Sequence, residues 1–263
     1  MAYQNILFTI QDGVARLTLN RPDKLNSFTS AMHVEVRAAL DSLNANKSAR
    51  VLVLTGSGRG FCAGQDLADP AVAPGEVAAD LGEVIEKYYG PLVRAVRALP
   101  LPIVCSVNGI AAGAGANLAL ACDIVIAAKS ASFVEPFCKL GLIPDTGGSY
   151  FLPRLVGTAR AIGLAMLGDK LSAEQAASWG LIWKCVDDAQ LEHEVNALAS
   201  QLAQAPTLGL ARTKQALYAS ASNTLDAQID LERDMMRELG YSEDYREGVA
   251  AFMARRAPVF KGR

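Results

Sequence analysis

The stretch LPIVCSVNGIAAGAGANLALACDIVIAAKSASFV (Leu101–Val134) holds, in order, an apolar run, a turn of glycine and alanine, a short apolar helical pattern and a second apolar run. The runs are too short and too uniformly apolar for surface helices, so LPIVCSVNG and CDIVIAAKSASFV are expected as buried strands, with GANLALA as a helix between them. Outward from this unit the same alternation continues. NILFTIQ (Asn5–Gln11) and VARLTLN (Val14–Asn20) flank Asp12-Gly13, a pair that supplies the positive φ of a tight hairpin turn. SAMHVEVRAALDSLNAN (Ser30–Asn46) has helical periodicity, VLVLTG (Val51–Gly56) is a buried strand, and Leu81–Leu99 is a second helix. The order is α/β with repeated crossovers.

From about Ser172 the pattern changes to helix after helix: SAEQAASWG, Leu191–Ala205, Leu208–Ser222, Thr224–Leu239 and Glu243–Ala254. The expected division is a core over residues 1–200 and a helical region over 201–263. The stretch from Asp69 to Gly82, rich in Ala, Pro and Gly, is the candidate flap beside a site.

Composition narrows the function classes. The 263 residues are 51% hydrophobic and 20% charged, and the net charge is -2 with both signs dispersed. Nucleic acid and membrane surfaces are not expected as partners. MAYQNILFTIQDG has no secretory pattern, and no uncharged apolar run approaches about 18 residues, so the chain is expected to be cytoplasmic. The five cysteines lack any CxxC pair and are expected as reduced thiols. Two histidines, His33 and His193, lie in helical patterns away from the glycine-rich turns. That disfavours a metal centre and a His-activated nucleophile.

What remains is backbone donors and carboxylates. GRGFCAGQDL (Gly58–Leu67) and NGIAAGAGANLALACD (Asn108–Asp123) each follow an apolar strand. Their small residues permit either close packing or close approach of a ligand. The second enters a helix, whose first N–H groups lack intrahelical partners and suit a developing negative charge. Neither segment has the spacing of a dinucleotide fingerprint or a P-loop. In GLIPDTGG (Gly141–Gly148), Asp145 is a lone acid among apolar neighbours. It is either a cap for the helical pattern TGGSYFLPRLVG or a base held in apolar surroundings. A carboxylate with backbone donors is the equipment for taking a proton from the carbon α to a carbonyl.

FCAGQDL, VNGIAAGAGANLALACDIVIA, FVEPFCKLGLIPDTGGSYFLPRLVG, LSAEQAASWGLI and YREGVAAFMARRAPVFKG, in this order across the chain, resemble the crotonase (enoyl-CoA hydratase/isomerase) superfamily. The resemblance implies a spiral of ββα repeats with C-terminal helices that build trimers or hexamers. It also implies an acyl-CoA substrate, with CoA carried as part of that substrate and no separate cofactor or metal. By the same resemblance the N–H groups of Gln65 and Ala114 hold the thioester oxygen. Lys24, Leu25, Ala63, Asp66 and Leu67 match the CoA cradle. Phe260 and Lys261 match a contribution to the nucleotide end, made by a neighbouring subunit.

The departures from the family pattern direct the chemistry. The two glutamates of its hydratases are replaced by Asn117 and Phe137. Water addition thus loses its acid and base. Glu135, preceding Pro136, is expected to point elsewhere along a strand. Asp145 occupies a position that is acidic in a subset of the isomerases, and one carboxylate suffices to move a proton between two carbons. The resemblance therefore implies an isomerase with Asp145 as base, most similar to those that expand an epoxidised arylacetyl-CoA ring to an oxepin, with Phe137 as an apolar wall. Isomerisation of a 3-enoyl-CoA needs the same parts. A non-catalytic, RNA-binding member of the fold would call for a basic surface, which this composition lacks.

Overall fold

The computed structural model describes residues 3–46, 48–73 and 79–263. Strands β1 (Ile6–Gln11) and β2 (Val14–Leu19) form the expected antiparallel hairpin, with Asp12 and Gly13 at φ 51° and 79°. Helix α1 (Ser30–Ala45) starts where the Thr29 side chain accepts from the Met32 N–H at 3.3 Å. It buries Met32, Val36, Leu40 and Leu43, a helical stripe toward the core worth about 1.5–3 kcal/mol per fully buried side chain.

Three similar units follow. The first is β3 (Val51–Gly56) and β4 (Gly60–Cys62). Its helix is α2 (Leu81–Val84), which passes through a π-helical turn at Ile85–Tyr89 into α3 (Gly90–Ala98). The second is β5 (Ile103–Val107), β6 (Ile110–Ala112) and α4 (Ala114–Ala121). The third is β7 (Ile124–Ala128), β8 (Ser132–Val134) and, after a 3-10 turn at Pro136–Leu140, α5 (Gly148–Leu167). Helix α5 is broken at Gly157, whose φ/ψ of 77°/159° is not helical. The chain continues through β9 (Lys170–Ser172), α6 (Ala173–Ser178) and β10 (Lys184–Val186). Helices α7 (Leu191–Gln204), α8 (Thr207–Ala219), α9 (Leu225–Gly240) and α10 (Glu243–Met253) complete it.

The first strand of each unit joins one sheet, ordered β1-β2-β3-β5-β7-β10, and the second joins another, ordered β4-β6-β8-β9. Between successive units all pairings are parallel: β3 with β5, β5 with β7, β4 with β6, and β6 with β8. Each unit climbs one strand position in both sheets at once, which is the expected ββα spiral. Parallel strands covered on both faces explain why VLVLTG and IVCSV are apolar without alternation. Helix α7 lies over β2, β3, β5 and β7, and residue 200 falls within it.

The C-terminal helices are tied to this body by buried charge. Lys214 of α8 donates to the Val96 and Leu101 carbonyls and ion-pairs with Asp123 at 2.9 Å. Tyr218 also donates to Asp123. All five cysteines are free, and Cys62, Cys105 and Cys122 are buried. Among the described residues no helix is long and apolar enough to cross a membrane. The candidate flap is described at 69–73 and 79–82; its centre, 74–78, lies outside the described residues.

Candidate active site

Because β4, β6 and β8 are parallel neighbours, the segments that leave their C-terminal ends are brought side by side. These segments carry Gln65, Ala114 and Asp145. Phe28 forms a parallel bridge with Gln65, in which the Phe28 N–H donates to Gly64 O at 2.7 Å and the Asp66 N–H donates to Phe28 O at 2.9 Å. Alternation along an extended segment then turns the Gln65 N–H away from that partner. The Gly113 N–H is taken by Val134 O at 2.9 Å, leaving the Ala114 N–H as the first donor of α4. A Cβ at Gly64 would lie 3.4 Å from Ala114 N, so the two peptides adjoin. Neither N–H has an acceptor among the described residues.

Close contact here depends on Gly115. A Cβ there would lie 2.3 Å from the Cys62 carbonyl oxygen, a separation no side chain tolerates. The glycine lets the start of α4 sit directly against β4, the approach that sets the two donors beside each other.

Asp145 does not cap α5. The N-cap is Gly147, without a side-chain bond, and the Asp145 carboxylate accepts from Thr146 Oγ1 at 2.7 Å. Its main-chain carbonyl accepts from the Gly148 N–H at 2.7 Å and from Asn117 Nδ2 at 3.0 Å. The backbone is thus pinned while the carboxylate keeps capacity for another proton. Burial raises its pKa above the ordinary carboxylate value, against a smaller lowering by the Thr146 hydroxyl. Phe137 is buried, with its ring edge 3.6 Å from the Cβ position of Gly113. It therefore walls the same corner.

Other matched residues divide into two groups. Leu25 O accepts from the Ala63 N–H at 2.9 Å, and Asp66 ion-pairs with Arg21 at 2.9 Å. Burial works against ionisation of Asp66, but the Ala68 N–H, Arg21 and Lys24 together hold its pKa below the usual range. Lys24 and Leu67 are exposed beside this loop, so these five residues gather next to Gln65. Phe260 and Lys261 do not. Phe260 O accepts from Arg50, and the Lys261 N–H donates to Asp244. Arg50 precedes β3, whereas the site follows its far end. The length of β3, about 15–20 Å, therefore separates these residues from the same chain's site.

Glu135 corrects the strand-based expectation. Pro136 starts a 3-10 turn, so strand alternation stops at Val134. Glu135 is 4% exposed and accepts from Asn117 Nδ2 at 3.2 Å. Burial raises its pKa to about 8; the Asn117 bond opposes this and the charge of Asp145 adds to it. Tyr89 is a residue the sequence did not signal: its hydroxyl donates to Gln65 Oε1 at 2.8 Å. His33, expected to lie apart, packs against Tyr89 with ring centroids 4.4 Å apart. A lone glutamate inside the apolar run ASFVEPF was the available signal for Glu135.

Comparison with known proteins shows the family. The model of the family Enoyl-CoA hydratase/isomerase matches residues 9–263. The chain is 56% identical over 258 residues to the 1,2-epoxyphenylacetyl-CoA isomerase of Escherichia coli strain K12, covering 98% of each. It is 49% identical over 263 residues to a Rhodobacter capsulatus protein named "Probable enoyl-CoA hydratase", covering 100% of each. The crystal structure of the enoyl-CoA hydratase from Bacillus anthracis superposes with a TM-score of 0.92 at 32% identity, covering 99% of this chain and 100% of that one. With its paired ββα sheets, adjoining peptide donors and a match over nearly its whole length, the chain belongs to the enoyl-CoA hydratase/isomerase family.

Proposed function

We propose that the protein is an acyl-CoA isomerase that converts ring-1,2-epoxyphenylacetyl-CoA to the seven-membered oxepin-CoA. The observation that carries this reading is the half-buried Asp145 carboxylate, free of any capping role, in a site where Asn117 and Phe137 stand at the hydratase glutamate positions. Identity of 56% to a 1,2-epoxyphenylacetyl-CoA isomerase supports the substrate.

In this reading Asp145 takes a proton from the carbon α to the thioester. The Gln65 and Ala114 N–H groups donate to the thioester oxygen and stabilise the enolate charge that develops on it. The C1–C2 bond shared by the dearomatised six-membered ring and the epoxide opens to give the seven-membered ring, and the Asp145 carboxyl returns the proton to a ring carbon. Product and substrate have the same atoms, so no redox partner, metal or separate cofactor is called for. Lys24, Leu25, Ala63, Asp66 and Leu67 would hold CoA, and Phe137 would face the ring.

The apolar side chains exposed on α9 and α10, among them Leu225, Ile229, Met236, Phe252 and Met253, support a homotrimer or a dimer of trimers. In such an assembly Phe260 and Lys261 would serve a neighbour's nucleotide end.

Asp145→Asn is expected to lower the isomerisation rate at least about 100-fold while CoA-thioester affinity and folding are kept. Near-wild-type turnover by that variant would overturn the assignment. Parallel assays with crotonyl-CoA, a 3-enoyl-CoA and the epoxide identify the substrate.

A further inference from the structure

We propose that Glu135 is a positioning residue of the proton-transfer site, setting the place of the Asp145 backbone through the side-chain amide of Asn117. The inference rests on the isomerase reading above and adds a residue to it. The two hydrogens of Asn117 Nδ2 are divided between Glu135 Oε2 at 3.2 Å and the Asp145 carbonyl at 3.0 Å. Asn117 is fully buried, and its Oδ1 has no partner among the described residues. Nothing else therefore orients the amide except those two acceptors. The one that holds it from behind is Glu135.

The surroundings of Glu135 explain what kind of support it gives. It lines a small enclosed cavity with Ala116, Leu120, Phe133, Leu152, Leu164 and Leu171. These come from α4, β8, α5 and β9 and bring no charge. Asp145 is the charged group that acts on it. Burial without a cation keeps the carboxyl protonated at neutral pH.

An uncharged acid accepts weakly from Asn117, so the amide shares its hydrogens evenly with the Asp145 carbonyl. Ionised Glu135 would draw the amide away from that carbonyl. It would also place a second negative charge beside a site where an enolate forms. Activity should therefore have two limbs. It is lost at acid pH as Asp145 becomes protonated, and lost again at alkaline pH as Glu135 ionises at about 8.

The test compares wild type, Glu135→Gln and Glu135→Leu across pH 5 to 10. Glutamine accepts from Asn117 but never ionises, so E135Q should keep kcat within about twofold at neutral pH, retain the acid limb and lose the alkaline one. E135L removes the acceptor, and kcat should fall at least about fivefold with KM for the thioester unchanged. An alkaline limb that persists in E135Q, or wild-type kcat in E135L, overturns the proposal.

A substrate-free measurement separates its failure from that of the isomerase reading. The carbonyl 13C resonance of Asp145 should titrate near pH 8 in wild type and not in E135Q, and the absence of that titration overturns the role of Glu135 alone. Inactivity of the wild type on every thioester, with the titration present, overturns the isomerase reading alone.

Discussion

The hydroxyl of Tyr89 donates to Oε1 of Gln65 at 2.8 Å, joining the π-helical turn to the loop whose main-chain N–H faces the site. π-helical turns put an extra residue into a helix and tend to occur at functional sites. Tyr89 is the last residue of this turn and is buried. Tyr89→Phe should lower kcat about fivefold, the worth of one neutral hydrogen bond, with KM and thermal midpoint little changed. Steady-state kinetics alongside a melting curve would show this, and an unchanged kcat would remove Tyr89 from the site.

Gly115→Ala places a methyl 2.3 Å from the Cys62 carbonyl oxygen. Backbone faces backbone, so no side chain can swing away. The variant should lose at least about 2 kcal/mol in urea unfolding, within the range for overpacked cores. Its remaining folded fraction should turn over more slowly as well, because α4 and the Gln65 loop are forced apart. Wild-type stability in this variant would contradict the close approach.

His33 is buried among Phe28, Tyr88 and Tyr89, and neither ring nitrogen has a partner among the described residues. Burial lowers its pKa from 6.5 to about 4, while the nearby Asp69 works in the other direction. A depressed histidine pKa means that the unfolded chain takes up the proton first. The stability contributed by the neutral ring is complete above pH 6.5 and is lost as pH falls toward about 4. Between pH 7 and pH 4.5 this single group accounts for about 2–3 kcal/mol. His33→Phe should lose that much less over the same interval, as measured by denaturant titration at the two pH values.

Lys214 reaches Asp123 from α8 with its side chain 7% exposed. Lys214→Met leaves a carboxylate without its cation and should cost about 3 kcal/mol, the low end for a broken buried pair. The low end applies because Asp123 keeps the Ile103 N–H and the Tyr218 hydroxyl. Adding Asp123→Asn should recover part of that loss, which a double-mutant cycle in urea measures.

What the sequence made legible followed from local physics. The Asp12-Gly13 turn, the apolar stripe of α1 and the serial helices after Ser172 all declare themselves within a few residues. The three-residue strands β4, β6, β8, β9 and β10 do not, because their identity lies in partners 20 to 60 residues away. CDIVIAAKSASFV is expected as one strand, but a turn at Lys129–Ser130 breaks it into β7 and β8, one in each sheet. The same crossing misdirects the reading of Glu135, since alternation counts outward from a strand that has already ended. Asp145 was visible as an acid in apolar company. That its carboxylate declines the cap is a matter of geometry, set by Gly147 and Thr146.

The three stacked units also divide the labour of the site. One peptide donor leaves the first unit, the other begins the helix of the second, and the carboxylate belongs to the third. In the proposed mechanism, thioester polarisation and proton transfer are therefore separable inheritances. A lineage can replace Asp145, Phe137 or Asn117 and acquire a different reaction while the pair of donors stays untouched, held by the contact between Gly115 and Cys62. On that mechanism substrate activation is invested in the backbone, where mutation has little purchase, and the choice of reaction in side chains that can be replaced one at a time.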